Sequence, residues 1–193
     1  MSLTVATWNI NSVRLRIANL ERFLKLRKPD VLCLQETKCP DEFFPHLAFE
    51  ALGYTHRLVQ GMKSYNGVAI LSKVPFTATN IHHRCGKEDC RHVEAALDIG
   101  GDPILLDNLY IPAGGDIPDP TQNDKFAHKL AFYREMAGWY AERRPKPRAR
   151  TPPTSWAGRL SRVRSRLAAS TRVIRAAASR IPRARRRPIQ IRN

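Results

Sequence analysis

Val31-Leu32-Cys33-Leu34, running straight into Gln35-Glu36-Thr37-Lys38, is the stretch on which the fold turns. Four consecutive apolar residues are too few for a helix and read as a strand buried on both faces. Upstream, residues 3–8 (Leu-Thr-Val-Ala-Thr-Trp) alternate with a period of two and read as another strand. Between the two, Asn9-Ile10-Asn11-Ser12 is turn chemistry in which Ser12 can cap a helix. Val13, Ile17, Leu20 and Leu24 then recur at helical spacing until Pro29-Asp30 ends the stripe. A strand, a capped helix and a buried strand in that order make a layered α/β domain.

Further strands are expected at about 54–59, 67–72, 93–99 and 104–111, the second just after the Asn66-Gly67 turn signal. A second helix is expected over 124–143, with Phe126, Leu130, Tyr133, Ala137 and Tyr140 on its apolar face. Beyond it the grammar changes. The next buried strand does not arrive; Pro145-Lys146-Pro147-Arg148 leads instead into a stretch of Arg, Ala, Pro and Ser.

The charge follows the same division. The chain has 193 residues and a formal net charge of +16, yet residues 1–142 hold 16 Lys and Arg against all 17 Asp and Glu. Residues 143–193 hold the other 17 basic residues, 16 of them Arg, and no acid. A near-neutral domain is therefore joined to a polycationic tail. With 42% apolar residues the chain can bury a sizeable core. The opening Met1-Ser2-Leu3-Thr4-Val5-Ala6 has no charged start or long apolar run of a secretory signal, and no run is long enough to span a bilayer. Four cysteines (Cys33, Cys39, Cys85, Cys90) make no disulfide framework, so a cytoplasmic setting without membrane attachment is expected.

The chemistry gathers where strands end. Glu36 follows directly on a buried strand, and such strand ends border the ligand crevice of α/β sheets. Mg²⁺ keeps several waters and often takes only one or two protein carboxylates, so Glu36 can anchor a hard cation with Lys38 beside it as a charge for phosphate. A solvated Glu-x-Lys pair is the plainer reading of the same residues. Asn9 and Asn11 end the first strand with two short amides, which can either hold a carboxylate or a bound water, or simply make the turn. Tyr110, in Asn108-Leu109-Tyr110-Ile111-Pro112-Ala113-Gly114, sets a phenol at the end of another apolar strand. It can donate to a phosphate oxygen or be a packed aromatic with its hydroxyl at the rim.

Trp-Asn-Ile-Asn-Ser-Val-Arg at 8–14, Pro-Asp-Val-Leu-Cys-Leu-Gln-Glu-Thr-Lys at 29–38, Tyr-Asn-Gly-Val-Ala-Ile-Leu-Ser-Lys at 65–73 and Asn-Leu-Tyr-Ile-Pro-Ala-Gly at 108–114 together resemble the exonuclease III family of the endonuclease/exonuclease/phosphatase superfamily. Lys129-Leu130-Ala131-Phe132-Tyr133 resembles it too, and the likeness covers about residues 3–148. It implies an α/β fold, here the first half of a two-sheet α/β sandwich, and hydrolysis of DNA phosphodiesters with Mg²⁺ or Mn²⁺. The implied substrates are duplexes with abasic sites or 3′ ends, and the intact family is monomeric. By position Glu36 matches the metal-binding glutamate, Asn9 the asparagine beside it, and Tyr110 the catalytic tyrosine. Asn11, Lys38 and Arg91 match as supporting nucleic-acid-binding residues. The family continues with a Gly-Asp-x-Asn motif and a distant Ser-Asp-His motif, and residues 143–193 contain no Asp, Glu or His.

The reading is thus a domain over 1–148 and an Arg-rich tail over 149–193, either out-of-frame translation of GC-rich codons or a genuine nucleic-acid-binding extension. A weak apolar stripe in the tail, Leu160, Val163, Leu167, Ile174, Ala177 and Ile181, fits a weakly helical or disordered cation. Without the family's second half the chain is expected to be inactive, and the strands at 31–34 and 104–106 to expose an apolar patch. The remaining alternatives are a non-catalytic nucleic-acid binder and a phosphatase of the same superfamily. The His82–His92 segment, with Cys85 and Cys90, carries zinc-type ligands at no standard zinc spacing and reads as a polar loop between strands.

Overall fold

A computed structural model describes residues 3–101 and 103–143. Its elements are β1 (Val5–Asn9), α1 (Ile17–Arg27), β2 (Val31–Gln35), a 3-10 turn (Asp41–Phe43), α2 (His46–Glu50), β3 (His56–Met62), β4 (Tyr65–Ser72), β5 (Phe76–Arg84), β6 (Lys87–Leu97), β7 (Ile104–Leu109) and α3 (Asp124–Arg143). Four strands form one sheet in the order β1-β2-β4-β3, with β1 and β2 parallel; three form another in the order β5-β6-β7. The expected 148/149 boundary and the tail stripe lie outside the described residues.

Strand alternation builds the layers. In β2, Val31 and Cys33 face the second sheet while Leu32 and Leu34 face α1 and α2. β4 repeats this, with Val68 and Ile70 inward and Ala69 and Leu71 toward the helices. From the other side, Val93, Ala95, Leu97 and Leu106 close the inter-sheet core. Each fully buried Val, Ile or Leu side chain there contributes roughly 1.5–3 kcal/mol. The helices α1 and α2 cover the outer face of the first sheet through Leu20, Leu24 and Phe49. α3 covers the second sheet through Phe132 and Met136 over Leu109. The order of layers is helix, sheet, sheet, helix.

Five expectations need correction. The 31–34 strand exposes no apolar patch: Val31, Leu32 and Leu34 are fully buried, because β5, β6 and β7 already supply a second sheet. Leu106 is buried as well. Ser12 does not cap α1. Its backbone lies at φ +86°, and the N–H groups of Ile10, Ser12 and Val13 donate to the carbonyls of Gln35, Glu36 and Thr37. The chain therefore runs alongside β2 past the end of β1, and the helix starts only at Ile17. The His82–His92 segment is no loop but the tip of the β5–β6 hairpin, turning at Cys85-Gly86 with both residues at positive φ.

β5 was not expected as a strand, because Thr77, Ala78, Thr79 and Asn80 are exposed and lack an apolar stripe. The apolar face of α3 is rotated from the expected one: Phe132 and Met136 are buried, whereas Tyr133 and Ala137 point outward. α3 is oriented by polar anchors as well as apolar ones. Glu135 accepts from the Cys85 backbone N–H at 2.6 Å and from Arg84 at 3.3 Å. Arg143 pairs with Glu94, which is 1% exposed.

Candidate active site

The inward-facing positions of the strands run out at one end of the inter-sheet space, and the predicted residues lie there. Half-buried Thr7 and buried Gln35 and Asn108 form the last inward polar layer, joined by Gln35 Nε2 to Thr7 Oγ1 at 3.0 Å and to Asn108 Oδ1 at 2.6 Å. Asn9 and Tyr110 each follow two residues later, on the same face of their strands. They converge on Glu36.

Glu36 Oε1 accepts from Asn9 Nδ2 at 2.7 Å and from Tyr110 Oη at 2.7 Å. Its Oε2 faces Lys38 Nζ at 3.2 Å. Lys38 Nζ also donates to Asn11 Oδ1 at 2.6 Å. All five residues named from strand ends thus form one connected group. Arg91 joins it from β6: its guanidinium lies over the Tyr110 ring, 4.8 Å from the centroid, and donates to the Tyr110 carbonyl at 3.3 Å. Asp89 in turn accepts from Arg91 Nε.

Charge is arranged to keep Glu36 ionised. Burial alone would raise its pKa, but the hydrogen bonds from Asn9, Tyr110 and Lys38 and the ammonium charge outweigh it and hold the carboxyl below its ordinary range. Tyr110 moves the other way. Burial, its hydrogen bond to Glu36 and that carboxylate's charge push the phenol up to about 12. At neutral pH the phenol is a donor, and Glu36 is an acceptor.

The backbone around the group is unusual. Asn11, Ser12, Glu36, Lys38 and Asn66 all have φ between +40° and +86°, a region that non-glycine residues seldom occupy. Strain of this kind persists where surrounding contacts over-determine it. Here the contacts are visible: Lys38 N–H donates to Asn66 O at 2.9 Å, Thr37 N–H to Gly67 O at 3.2 Å, and Asn66 Nδ2 to Asp89 O at 2.7 Å. Gly67, at φ +92°, lies so close to Thr37 that an added Cβ would run into its hydroxyl.

Three features escaped the sequence reading. The Gln35–Asn108–Thr7 layer is one; its signal is a polar residue closing an otherwise apolar strand. Another is the Asn66–Asp89 link. The third is a polar layer under α3: His92 Nε2 meets Asp107 at 2.8 Å, Arg84 Nε donates to His92 Nδ1 at 3.0 Å, and Trp139 packs edge-on against His82 and His92. Cys33, Cys39, Cys85 and Cys90 are free thiols. Among the described residues no three His, Cys, Asp or Glu side chains converge as a metal-binding group, at the Cys85/Cys90 hairpin or elsewhere. Among them, too, no helix is long and apolar enough to cross a membrane.

A single carboxylate still suits one kind of ion. Glu36 presents two oxygens with about four acceptor positions, and three are taken. A hard divalent cation that draws the rest of its shell from water and phosphate needs no more from the protein.

The family model described as Endonuclease/Exonuclease/phosphatase family matches residues 6–172. Exodeoxyribonuclease III of Haemophilus influenzae is 34% identical over 132 residues, covering 67% of this chain and 48% of that protein. Among solved structures, an AP endonuclease from Archaeoglobus fulgidus superposes with a TM-score of 0.62 at 32% identity, over 72% of this chain and 51% of that one. The 3′ phosphatase NExo from Neisseria, bound to product DNA hairpin, gives 0.63 at 27% identity over 72% and 51%. The chain spans about half the length of each.

Proposed function

The chain belongs to the Endonuclease/Exonuclease/phosphatase family, and from that premise we propose that it takes DNA phosphodiesters as substrate, contributing the phosphate-binding and cation-binding half of a repair-nuclease site. The observation that carries the reading is the convergence of Asn9, Lys38 and Tyr110 on the ionised Glu36 carboxylate. The names of the similar proteins support the substrate class: an exodeoxyribonuclease, an AP endonuclease and a DNA-bound 3′ phosphatase.

Glu36, with Asn9 beside it, would hold Mg²⁺ or Mn²⁺. Such an ion polarises a phosphate oxygen and offsets charge on the leaving oxygen when bound. The chain's own residues supply the rest of the grip. Tyr110, kept protonated, has a single O–H; it would give up its bond to Glu36 to donate to a phosphate oxygen. Lys38 adds positive charge at the rim, oriented by Asn11, while Arg91, buried against the Tyr110 ring and paired with Asp89, would add its charge from behind. Residues 144–193 contain no Asp, Glu or His, so that stretch brings no group to take a proton from the attacking water. We therefore expect the 193-residue chain to bind and position DNA but to hydrolyse it slowly, because the groups of such a site act as a unit and losing some costs orders of magnitude.

The test uses the purified 193-residue chain, a labelled duplex with one abasic site, Mg²⁺ and Mn²⁺ arms, and Glu36→Gln. DNA binding strengthened by the cation and lost in Glu36→Gln, with little incision, is the expected result. Robust cation-dependent incision abolished by Glu36→Gln would overturn the inactivity while supporting the nuclease chemistry. Binding that falls steeply with salt but ignores both the cation and Glu36→Gln would favour a non-catalytic basic binder. A parallel panel of 3′-phosphate ends and small phosphoesters separates a phosphatase from a nuclease.

A further inference from the structure

Asn108 lies in β7 two residues before Tyr110 and is 1% exposed. Its side chain crosses from one sheet to the other. Nδ2 donates to the Leu34 carbonyl at 2.8 Å and to the Ala69 carbonyl at 2.9 Å, residues that face each other in the β2–β4 register. Its Oδ1 accepts from Gln35, which also holds Thr7 of β1. Both donors and the acceptor are used, so three strands meet on one amide and β1 is reached through Gln35. Flipping that amide would set its oxygen against two carbonyl oxygens, so its orientation is fixed.

We propose that Asn108 is a positioning residue: by pinning β7 to β2 and β4 it sets where Tyr110 meets Glu36. The inference rests on the reading of those two residues as the phosphate-facing pair. Asn66 Nδ2 also crosses between the sheets, to Asp89 O at 2.7 Å, but it ties β4 to β6 and leaves β7 unpinned. The interior contacts, among them Cys33, Ile70, Val93 and Leu106, are apolar, and apolar contact is non-directional. Apolar packing fixes the spacing of the sheets but only loosely their slide. Hydrogen bonds are directional and weaken steeply with misalignment, and those of Asn108 lie one inward position from the Tyr110 hydroxyl. A purely structural Asn108 would only satisfy two buried carbonyls. It would affect stability without moving Tyr110.

The full chain labelled with 3-fluorotyrosine separates these roles by ¹⁹F NMR. The Tyr110 resonance is assigned by its loss in Tyr110→Phe, and Glu36→Ala, which leaves the hydroxyl no acceptor at that position, marks where it goes when the pair is broken. Asn108→Ala is expected to move it at least half of the way to that position. Leu20→Ala, a core variant under α1, is expected to leave it in place despite the lower stability. A Tyr110 resonance unmoved in folded Asn108→Ala would overturn the proposal. Should Asn108→Ala not fold, Gln35→Met keeps both Asn108 donors and frees its Oδ1, with Thr7→Val as the control for the Gln35–Thr7 bond lost alongside. A smaller movement in the same direction, beyond that of the control, supports the proposal, and none overturns it. A Tyr110 resonance indifferent to Glu36→Ala would overturn the pairing itself, a failure distinct from that of Asn108.

Discussion

Tyr110 Oη donates to Glu36 Oε1 at 2.7 Å, tying the end of one sheet to the end of the other across 74 positions of sequence. The bond has a fixed polarity, since the carboxylate lies below its usual range and the phenol is pushed up to about 12. Tyr110→Phe removes one of three partners of a largely buried charge. We expect a loss of about 1.5 kcal/mol, the lower end for hydrogen bonds to charged groups, measured as a shift in urea midpoint at constant slope. An unchanged midpoint would mean that water replaces the phenol at no cost.

Gly67→Ala is expected to damage the site from behind. The new methyl would meet the Thr37 hydroxyl, at a backbone angle that L residues rarely adopt. A destabilisation of roughly 2 kcal/mol or more is expected from strain and overpacking. In chemical-shift mapping the largest changes should fall on Thr37 and Lys38. Changes confined to the β3–β4 turn would show that the strain relaxes outward instead.

The face that α3 presents can be checked by neighbouring substitutions. Phe132 is fully buried, and Tyr133 is 50% exposed. Phe132→Ala should cost about 3–5 kcal/mol, and Tyr133→Ala no more than about 0.5 kcal/mol. The reverse order in thermal or denaturant unfolding would restore the face expected from the sequence.

Arg143→Met leaves the Glu94 carboxylate with Asn80 at 3.0 Å and His82 at 3.9 Å. Removing one partner of a buried pair is strongly destabilising, though Arg143 is itself 37% exposed and partly screened. We expect about 2 kcal/mol, and a rescue by Arg143→Met/Glu94→Gln to within about 1 kcal/mol. Absence of rescue would locate the cost in the lost packing of Arg143 on Trp139.

Acid should lower the stability of the domain over two pH ranges. Burial holds His82 and His92 below their usual 6.5, with the charge of neighbouring Arg84 adding to it. The unfolded chain therefore takes up protons that the folded one refuses, and stability falls as pH drops below about 6.5. Glu94 and Glu135 are held below 4.5 despite burial, by Arg143 with Asn80 and by the Cys85 N–H with Arg84 respectively. Their contribution is present above 4.5 and lost below it. Asp41, raised by burial, opposes this weakly. A thermal midpoint that stays flat from pH 7 to 5 would contradict the neutral buried histidines.

Much of the layered fold was legible from strand and helix patterning. Asn9, Glu36, Lys38 and Tyr110 lie at or just past strand ends, yet each alone had a plain structural reading. The resemblance of their segments singled them out together, and the structure joins them in one hydrogen-bonded group. The first sheet was legible from the apolar run at 31–34. β5 was not, since an edge strand with one solvated face has no apolar run to mark it. The start of α1 was hidden by backbone pairing at 10–13, which no side-chain pattern announces. The turn of α3 was misjudged because Glu135 and Arg143 anchor it through charge, and a hydrophobic stripe does not weigh charge. Asn108 was passed over as part of the Tyr110 motif, its reach across to Leu34 and Ala69 being a matter of register.

The same inter-sheet bonds constrain how the chain can assemble. Glu36 waits on a partner 74 residues further on, and Gln35 on one 73 residues further on. β1, α1 and β2 can associate early through short loops, but the ring of donors around the carboxylate closes only after β7 has arrived. Contacts so far apart in sequence pay their loop-closure entropy late and slow folding. A nascent chain halted anywhere before residue 110 would carry the Glu36 charge without its phenol and the Leu34 and Ala69 carbonyls without their amide. The hydrogen-bonded group around Glu36 would then close in a single late step of synthesis, not in increments.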